Sequence, residues 1–391
     1  MKKILTSLPI SLFVLISFGQ QTENKKLTAC DIGVVINKNY SKASVIDSII
    51  KEYTPAFLPG VSIAIFSDAE GWWAASEGYA RVETKTPMDN CHLQYVQSVS
   101  KMYMAVEILQ LKEKGKIKLD DPMTTYLPAK YSKYIKGADK ITVRMLLNQT
   151  SGVPEYNSNP SFVEHVMMHP SLPFTQEDCL KSINGEDLQF APGSLYRYTN
   201  TNYLLLSLIA DAITGDHAAY IRKNILEPAG LKNTYYSITH DYLKGLYLPD
   251  SYWDALAVGR PANFTTLQQA TVASSKGDDG VVCTTVDAVK FLKAIMEGRL
   301  LKPESLNEML DFVKDEKGRQ RYGMGMIYFD LGGIPAYGHG GGGIGAGCGL
   351  LYVPSRKTYI FISTNIGVLV ESELSKKADD LKNEVLMAML Q

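Results

Sequence analysis

Cysteine is scarce and unordered in this chain. Cys30, Cys91, Cys179, Cys283 and Cys348 are scattered over 391 residues without a C-x-x-C pair, which argues against a zinc ribbon or a thioredoxin-like motif. At most two disulfides can form from such a set, and a chain of this length does not need them for its core, so free or buried thiols are expected. Charge of one sign is lacking too. Lys plus Arg number 40 and Asp plus Glu 41, a formal net charge of -1, and no basic stripe with interleaved aromatics is present, which argues against a nucleic-acid partner. The nucleophile elbow G-x-S-x-G of Ser-His-Asp hydrolases is absent. His165 and His169 stand four apart without the glutamate of H-E-x-x-H or a third ligand, so an ordinary helix surface is expected there and no metal.

What is present begins with a leader. Lys2 and Lys3 precede an apolar run over residues 8–18 that is too short to span a bilayer, the pattern of a secretory signal over residues 1–20. Such a signal places the mature chain in the periplasm or outside the cell, with no transmembrane span. Leu27-Thr28-Ala29-Cys30 has the form of a lipoprotein box, but Glu23, Lys25 and Lys26 separate it from the apolar run, so lipidation at Cys30 is the lesser alternative. With 45% hydrophobic and 21% charged residues, the remainder has the composition of a globular chain with a substantial core.

Hydrophobic periodicity divides that remainder. Residues 44–53 carry helical spacing, and residues 60–67 and 72–79 read as strands around a polar turn. Near the other end, residues 322–328, 349–353 and 359–363 are strand-like and residues 371–390 form an amphipathic helix. Between them, residues 102–114, 203–214, 218–225, 286–296 and 303–313 are helical in pattern. The expected fold is α+β: an antiparallel sheet built from both chain ends (residues 21–95 and 277–391) with flanking helices, plus an inserted mainly helical domain (residues 96–276) and the site at their interface.

Chemistry concentrates at three places. Ser98-Val99-Ser100-Lys101 opens the helical run, and residues three apart on a helix share a face, so the Lys101 amine can reach the Ser98 hydroxyl. A serine hydroxyl needs a base to become a nucleophile, and a lysine with a depressed pKa can serve. The helix start also directs N–H groups toward a developing oxyanion. Tyr198-Thr199-Asn200 supplies a phenol able to exchange a proton with Lys101 and an amide able to hold a substrate carbonyl. His339-Gly340-Gly341 lies at a strand end, where glycines let a substrate backbone approach.

Ser-x-x-Lys, Tyr-x-Asn and His-Gly-Gly in this order resemble the serine β-lactamase and penicillin-binding protein family, whose signature is S-x-x-K, S-D-N and K-T-G. Their form is similar to the branch holding class C β-lactamases, DD-peptidases and related esterases. Leu146-Leu147-Asn148-Gln149-Thr150-Ser151-Gly152, Ala191-Pro192-Gly193 and Tyr322-Gly323-Met324-Gly325 extend the likeness from about residue 45 to about residue 385. The resemblance implies a β-lactamase/transpeptidase-like fold with Ser98 as the acylated nucleophile, Lys101 its proton partner and Tyr198 a general base or acid. It further implies that Asn200 contacts Lys101 and the substrate amide, that His339 stands in for the cationic member of K-T-G with Gly341 beside it, and that the N–H groups of Ser98 and Gly342 form the oxyanion hole. A neutral histidine cannot supply the fixed charge that reads a β-lactam or peptide carboxylate. That departure points toward His-x-Gly peptidases and esterases rather than resistance enzymes.

Several other features have blander readings. Gly338, Gly340 and Gly343 fit G-x-G-x-x-G, but a strand rather than a helix is expected after them, so no dinucleotide fingerprint is read. Trp72 and Trp73 occupy adjacent strand positions, so they face opposite ways and at least one belongs to the core. Asp278 and Asp279 read as a solvated turn rather than as the cleft rim. The expectation is therefore an exported serine hydrolase of amide or ester bonds without a cofactor, most like a DD-peptidase or D-amino-acid peptidase, acting on a small molecule or peptide as a monomer. Small-ester hydrolase, β-lactamase and a non-turnover penicillin-binding sensor are the alternatives.

Overall fold

Strand Gly60–Ser67 has the sequence GVSIAIFS, which sends Val61, Ile63 and Ile65 to one face and Ser62, Ala64 and Phe66 to the other. In the computed structural model, which describes residues 32–54, 56–237, 243 and 247–391, both faces are covered. Val61, Ile63 and Ile65 pack with Ile46 and Ile50 of helix Ala43–Tyr53 and with Leu381 and Val385 of helix Glu373–Leu390. Ala64 joins the larger core on the other face, built on helices Ser100–Glu113 and Thr285–Met296. The expected leader over residues 1–20 and Cys30 lie outside the described residues.

Among the described residues the sheet has nine strands in the order Thr86–Pro87, Gly71–Arg81, Gly60–Ser67, Thr358–Thr364, Gly347–Val353, Pro335–Gly342, Ile327–Asp330, Gln320–Tyr322 and Val313–Lys314. Its centre is a pairing of distant segments, with Val61 opposite Thr364 and Ser67 opposite Thr358. All its neighbouring strands run antiparallel. The α+β expectation, a sheet assembled from both ends of the chain with helices on its faces, holds. Trp73 is 5% exposed in the core under the terminal helices, whereas Trp72 packs on Phe66 at the opposite face. Cys179, Cys283 and Cys348 are buried free thiols.

Two local expectations need correction. The strand expected over residues 322–328 is two strands joined by a turn, because Gly325 adopts φ 74° and a Cβ there would meet Ala105 and the Lys101 carbonyl at 2.7 and 3.0 Å. The helix expected over residues 303–313 ends at Met309, and Val313–Lys314 becomes an edge strand. A third element had no counterpart in the expectation: Gln94–Tyr95, Val281–Cys283 and Thr234–Tyr236 form a small antiparallel sheet. Strands of two or three residues are too short to show a periodicity of their own. Among the described residues no single helix is long and apolar enough to cross a membrane.

Helix Ser100–Glu113 is buried on every side from Ser100 to Leu111, the pattern of a central core helix. Phe291 of the neighbouring helix is fully buried and stacks on Tyr103 with rings 8° from parallel. Truncation by Phe291→Ala leaves a cavity against the helix that carries Lys101, and it is expected to cost about 3–5 kcal/mol of unfolding free energy. Urea unfolding followed by circular dichroism checks this; a loss below about 1 kcal/mol contradicts the packing described.

Candidate active site

The small sheet sets the geometry of the nucleophile. After Tyr95 the chain makes one 3-10 turn over Gln97–Val99 and enters helix Ser100–Glu113. Gln97 is held at φ 49°, a left-handed conformation that costs roughly 1–3 kcal/mol in a non-glycine residue and persists only where the surroundings impose it. Its constraint is strand Pro335–Gly342, which runs directly alongside. A Cβ at Gly341 would meet the Val96 carbonyl at 2.5 Å and the Gln97 Cβ at 3.0 Å, so this run must be glycine for the strand to lie against the turn. Ser98 then faces a cleft of about 620 Å³.

Lys101, one turn on, is completely buried. Its Nζ donates to Ser98 Oγ at 3.0 Å, to Asn200 Oδ1 at 2.7 Å and to the Asp278 carbonyl at 2.8 Å, using all three of its protons. Burial disfavours the charged amine and lowers its pKa to about 8, against the pull of the Asp278, Asp279 and Glu155 carboxylates. Near neutral pH this amine is therefore far more available as a base than an ordinary lysine. The ring of Tyr198 lies 5.1 Å from it. The Tyr198 hydroxyl is enclosed without a hydrogen-bond partner, and burial raises its pKa well above 10 while the nearby Ser98 hydroxyl pulls it back.

A second layer of polar contacts holds Tyr198 and Asn200 in place. Gln149, itself at φ 65°, accepts the Thr199 N–H and the Asn202 amide through Oε1 at 3.0 and 2.7 Å. Glu155 Oε2 accepts both the backbone N–H and the side-chain amide of Asn200, at 2.7 and 3.1 Å. With its Nδ2 held by Glu155, the Asn200 amide oxygen is the atom left to face Lys101. The segment around Gln149, whose role the sequence did not disclose, is thus the bracket for Tyr198-Thr199-Asn200.

His339 lines the cleft but is 1% exposed. Its Nδ1 lies 2.5 Å from the Gly340 carbonyl, which can only accept, so Nδ1 carries the proton and Nε2 accepts from the Tyr322 hydroxyl at 3.0 Å. Burial, reinforced by the Lys101 charge, lowers its pKa to about 3. His339 is therefore neutral and offers no fixed positive charge. Gly342 lines the cleft, while Gly341 lies against the Val96 carbonyl, the Cys348 sulfur and the Gln97 Cβ. The structure brings Ser98, Lys101, Tyr198, Asn200, His339 and Gly342 to one cleft and leaves Gly341 behind its wall. His165 and His169 are exposed on and just beyond helix Pro160–Met168, and among the described residues no group of three or more His, Cys, Asp or Glu is placed to hold a metal.

The solvated-turn reading of Asp278 is overturned. Asp278 is 4% exposed and lines the cleft beside Asp279. Its Oδ2 accepts from the Tyr156 hydroxyl at 2.6 Å, and Oδ1 is buried with no partner. Two aspartates between glycines look like a surface turn locally; the signal that inverts this reading is the pairing of the adjoining Val281–Cys283 with Gln94–Tyr95, which is a tertiary contact.

Comparison with known proteins identifies the family and the fold. The Beta-lactamase family model matches residues 46–382. The putative penicillin-binding protein PbpX of Bacillus subtilis (strain 168) is 27% identical over 312 residues, covering 78% of this chain and 70% of that protein. Protein flp of Staphylococcus aureus (strain COL) is 29% identical over 203 residues, but the match spans only 50% of this chain and 40% of flp. Among solved structures, the D-amino acid amidase from Ochrobactrum anthropi SV3 in complex with D-phenylalanine superposes with a TM-score of 0.76 at 23% identity, covering 89% of this chain and 98% of that one. The octameric penicillin-binding protein homologue from Pyrococcus abyssi superposes at 0.73 and 24% identity, covering 89% and 77%. At these identities the structures share the fold. The chain belongs to the beta-lactamase family and is a hydrolase of the β-lactamase fold.

Proposed function

We propose that this chain is an exported serine hydrolase that cleaves amide or ester bonds through an acyl-enzyme on Ser98, with D-amino-acid amides or peptides as its main substrate class. One observation carries the reading: the buried Lys101 amine, its pKa lowered to about 8, bridges Ser98 Oγ and Asn200 Oδ1. Ser98 Oγ adds to the substrate carbonyl while its proton passes to the neutral Lys101 amine. Collapse of the adduct breaks the C–N or C–O bond, and the leaving group departs with a proton relayed by Lys101 or the Tyr198 hydroxyl. Water then cleaves the acyl ester and restores the Ser98 hydroxyl. The Ser98 and Gly342 N–H groups are the candidate oxyanion donors; losing one such donor typically costs about 100–1000-fold in rate.

The D-amino acid amidase that shares this fold acts, by its name, on D-amino acid amides, which supports the substrate class. Neutral His339 argues against substrates that must be held by a carboxylate, β-lactams among them. The apolar cleft wall of Phe162, Val166, Phe174 and Trp253 favours small apolar esters as the second reading. Export rests on the leader sequence alone.

Intact-mass spectrometry after exposure to an activated ester is expected to show an adduct that disappears in Ser98→Ala; an adduct that survives this substitution refutes the assignment. Lys101→Arg keeps the charge but not the titratable amine, and acylation is expected to fall roughly 100–10,000-fold. Because the base is the deprotonated amine, the wild-type acylation rate is expected to climb with pH up to about 8 and to level off above it. A stopped-flow pH profile that is flat from 6 to 9 excludes Lys101 as the titrating base.

A further inference from the structure

The cleft wall carries an unusual charge pattern. Among the described residues lining it there is no Lys or Arg, His339 is neutral, and the acidic side chains are Asp278 and Asp279. A pocket that reads a substrate carboxylate needs the opposite arrangement. Asp278 is also incompletely partnered: Tyr156 satisfies Oδ2, while Oδ1 is buried without any donor. A buried polar atom left unsatisfied is destabilising, more so on a charged group, unless something supplies the missing hydrogen bond. The nearest cation does not: Lys101 spends its protons on Ser98, Asn200 and the Asp278 carbonyl rather than on the carboxylate.

We propose that Asp278, assisted by Asp279, is an ammonium-binding subsite, so that the preferred substrate is an amide or ester whose acyl half is an apolar amino acid with a free amino group. This inference rests on the acyl-enzyme reading above. Covalent geometry supports the location. In an amino-acid amide the nitrogen is joined to the scissile carbonyl carbon through Cα alone, which keeps them about 2.5 Å apart. The counter-charge must then sit beside the nucleophile, and the Lys101 amine touches both Ser98 Oγ and the Asp278 carbonyl. The same wall carries Phe162, Val163, Val166, Phe174 and Trp253, which suit an apolar side chain. Burial raises the carboxyl pKa values of both aspartates, that of Asp279 to about 7; an arriving ammonium favours their ionised forms and supplies the donor that Oδ1 lacks. Recognition by the amine end also accounts for a neutral residue at position 339, where a carboxylate reader would need a cation.

The test compares matched substrates on the full chain: phenylalanine amide of each hand against its N-acetyl derivative, with p-nitrophenyl acetate as the neutral probe of Ser98. The wild type is expected to favour the free amine by at least about 100-fold in kcat/KM, and Asp278→Asn to shrink that ratio at least about 10-fold, mainly through KM. A wild-type ratio near one, or a ratio unchanged in Asp278→Asn, overturns the proposal and leaves Oδ1 to a bound water. Should Asp278→Asn not fold, inhibition of wild-type ester hydrolysis decides: phenethylamine is expected to inhibit at least about 10-fold more strongly than 3-phenylpropanol, and equal inhibition overturns the proposal. If p-nitrophenyl acetate does not acylate Ser98 at all, the acyl-enzyme reading itself fails and takes this inference with it. Acylation with a flat amine preference removes the inference alone.

Discussion

A single desolvated amine organises the cleft. Moving the ammonium of Lys101 out of water is tolerable only because three oxygens meet its three protons. Those oxygens come from three separate parts of the chain: the turn before helix Ser100–Glu113, the start of helix Asn200–Thr214 and the loop before strand Val281–Cys283. Each of those parts must therefore be held in register. The small sheet ties the first to the third, since Tyr95 pairs with Val282 and the Val281 N–H reaches Ser100 Oγ. Gln149 and Glu155 fix the second.

The same burial that costs stability supplies reactivity. In water the lysine would be protonated and inert as a base at neutral pH; at a pKa near 8 an appreciable fraction is free. The neighbouring histidine is displaced further in the same direction, to about 3, because it too is enclosed and its hydrogen bonds are already committed. The cleft thus contains a tunable base, an uncharged imidazole and a pair of carboxylates. This combination differs in sign from a pocket built around a permanent cation.

Ser98, Lys101, Tyr198 and Asn200 were legible because their chemistry is written at short range: a serine and a lysine three apart where one helix begins, then a tyrosine and an asparagine two apart where another begins. The central strands were legible for a similar reason, since GVSIAIFS and YIFIS are short runs rich in β-branched and aromatic residues. Asp278 was not, because nothing in Gly277-Asp278-Asp279-Gly280 distinguishes an exposed turn from a buried one until Val281–Cys283 finds its partner far away in sequence. Gln149 and Glu155 lay within or near a recognisable phrase, yet their task depends on where Asn200 arrives. The turn at Gly323–Met326 escaped notice because Tyr322 and Ile327 flank it with strand-like composition, and only the proximity of Lys101 and Ala105 explains the glycine there.

The pairing of Val61 with Thr364 has a consequence for how the molecule comes into being. The central seam of the sheet joins segments about three hundred residues apart, so it cannot form until strand Thr358–Thr364 has been synthesised. Strand Pro335–Gly342, which braces the nucleophile turn, is itself anchored through Gly347–Val353 to that late strand. Topologies dominated by such distant contacts fold slowly. In a chain with this wiring the turn that carries Ser98 gains its bracing strand only when the last strands close the sheet.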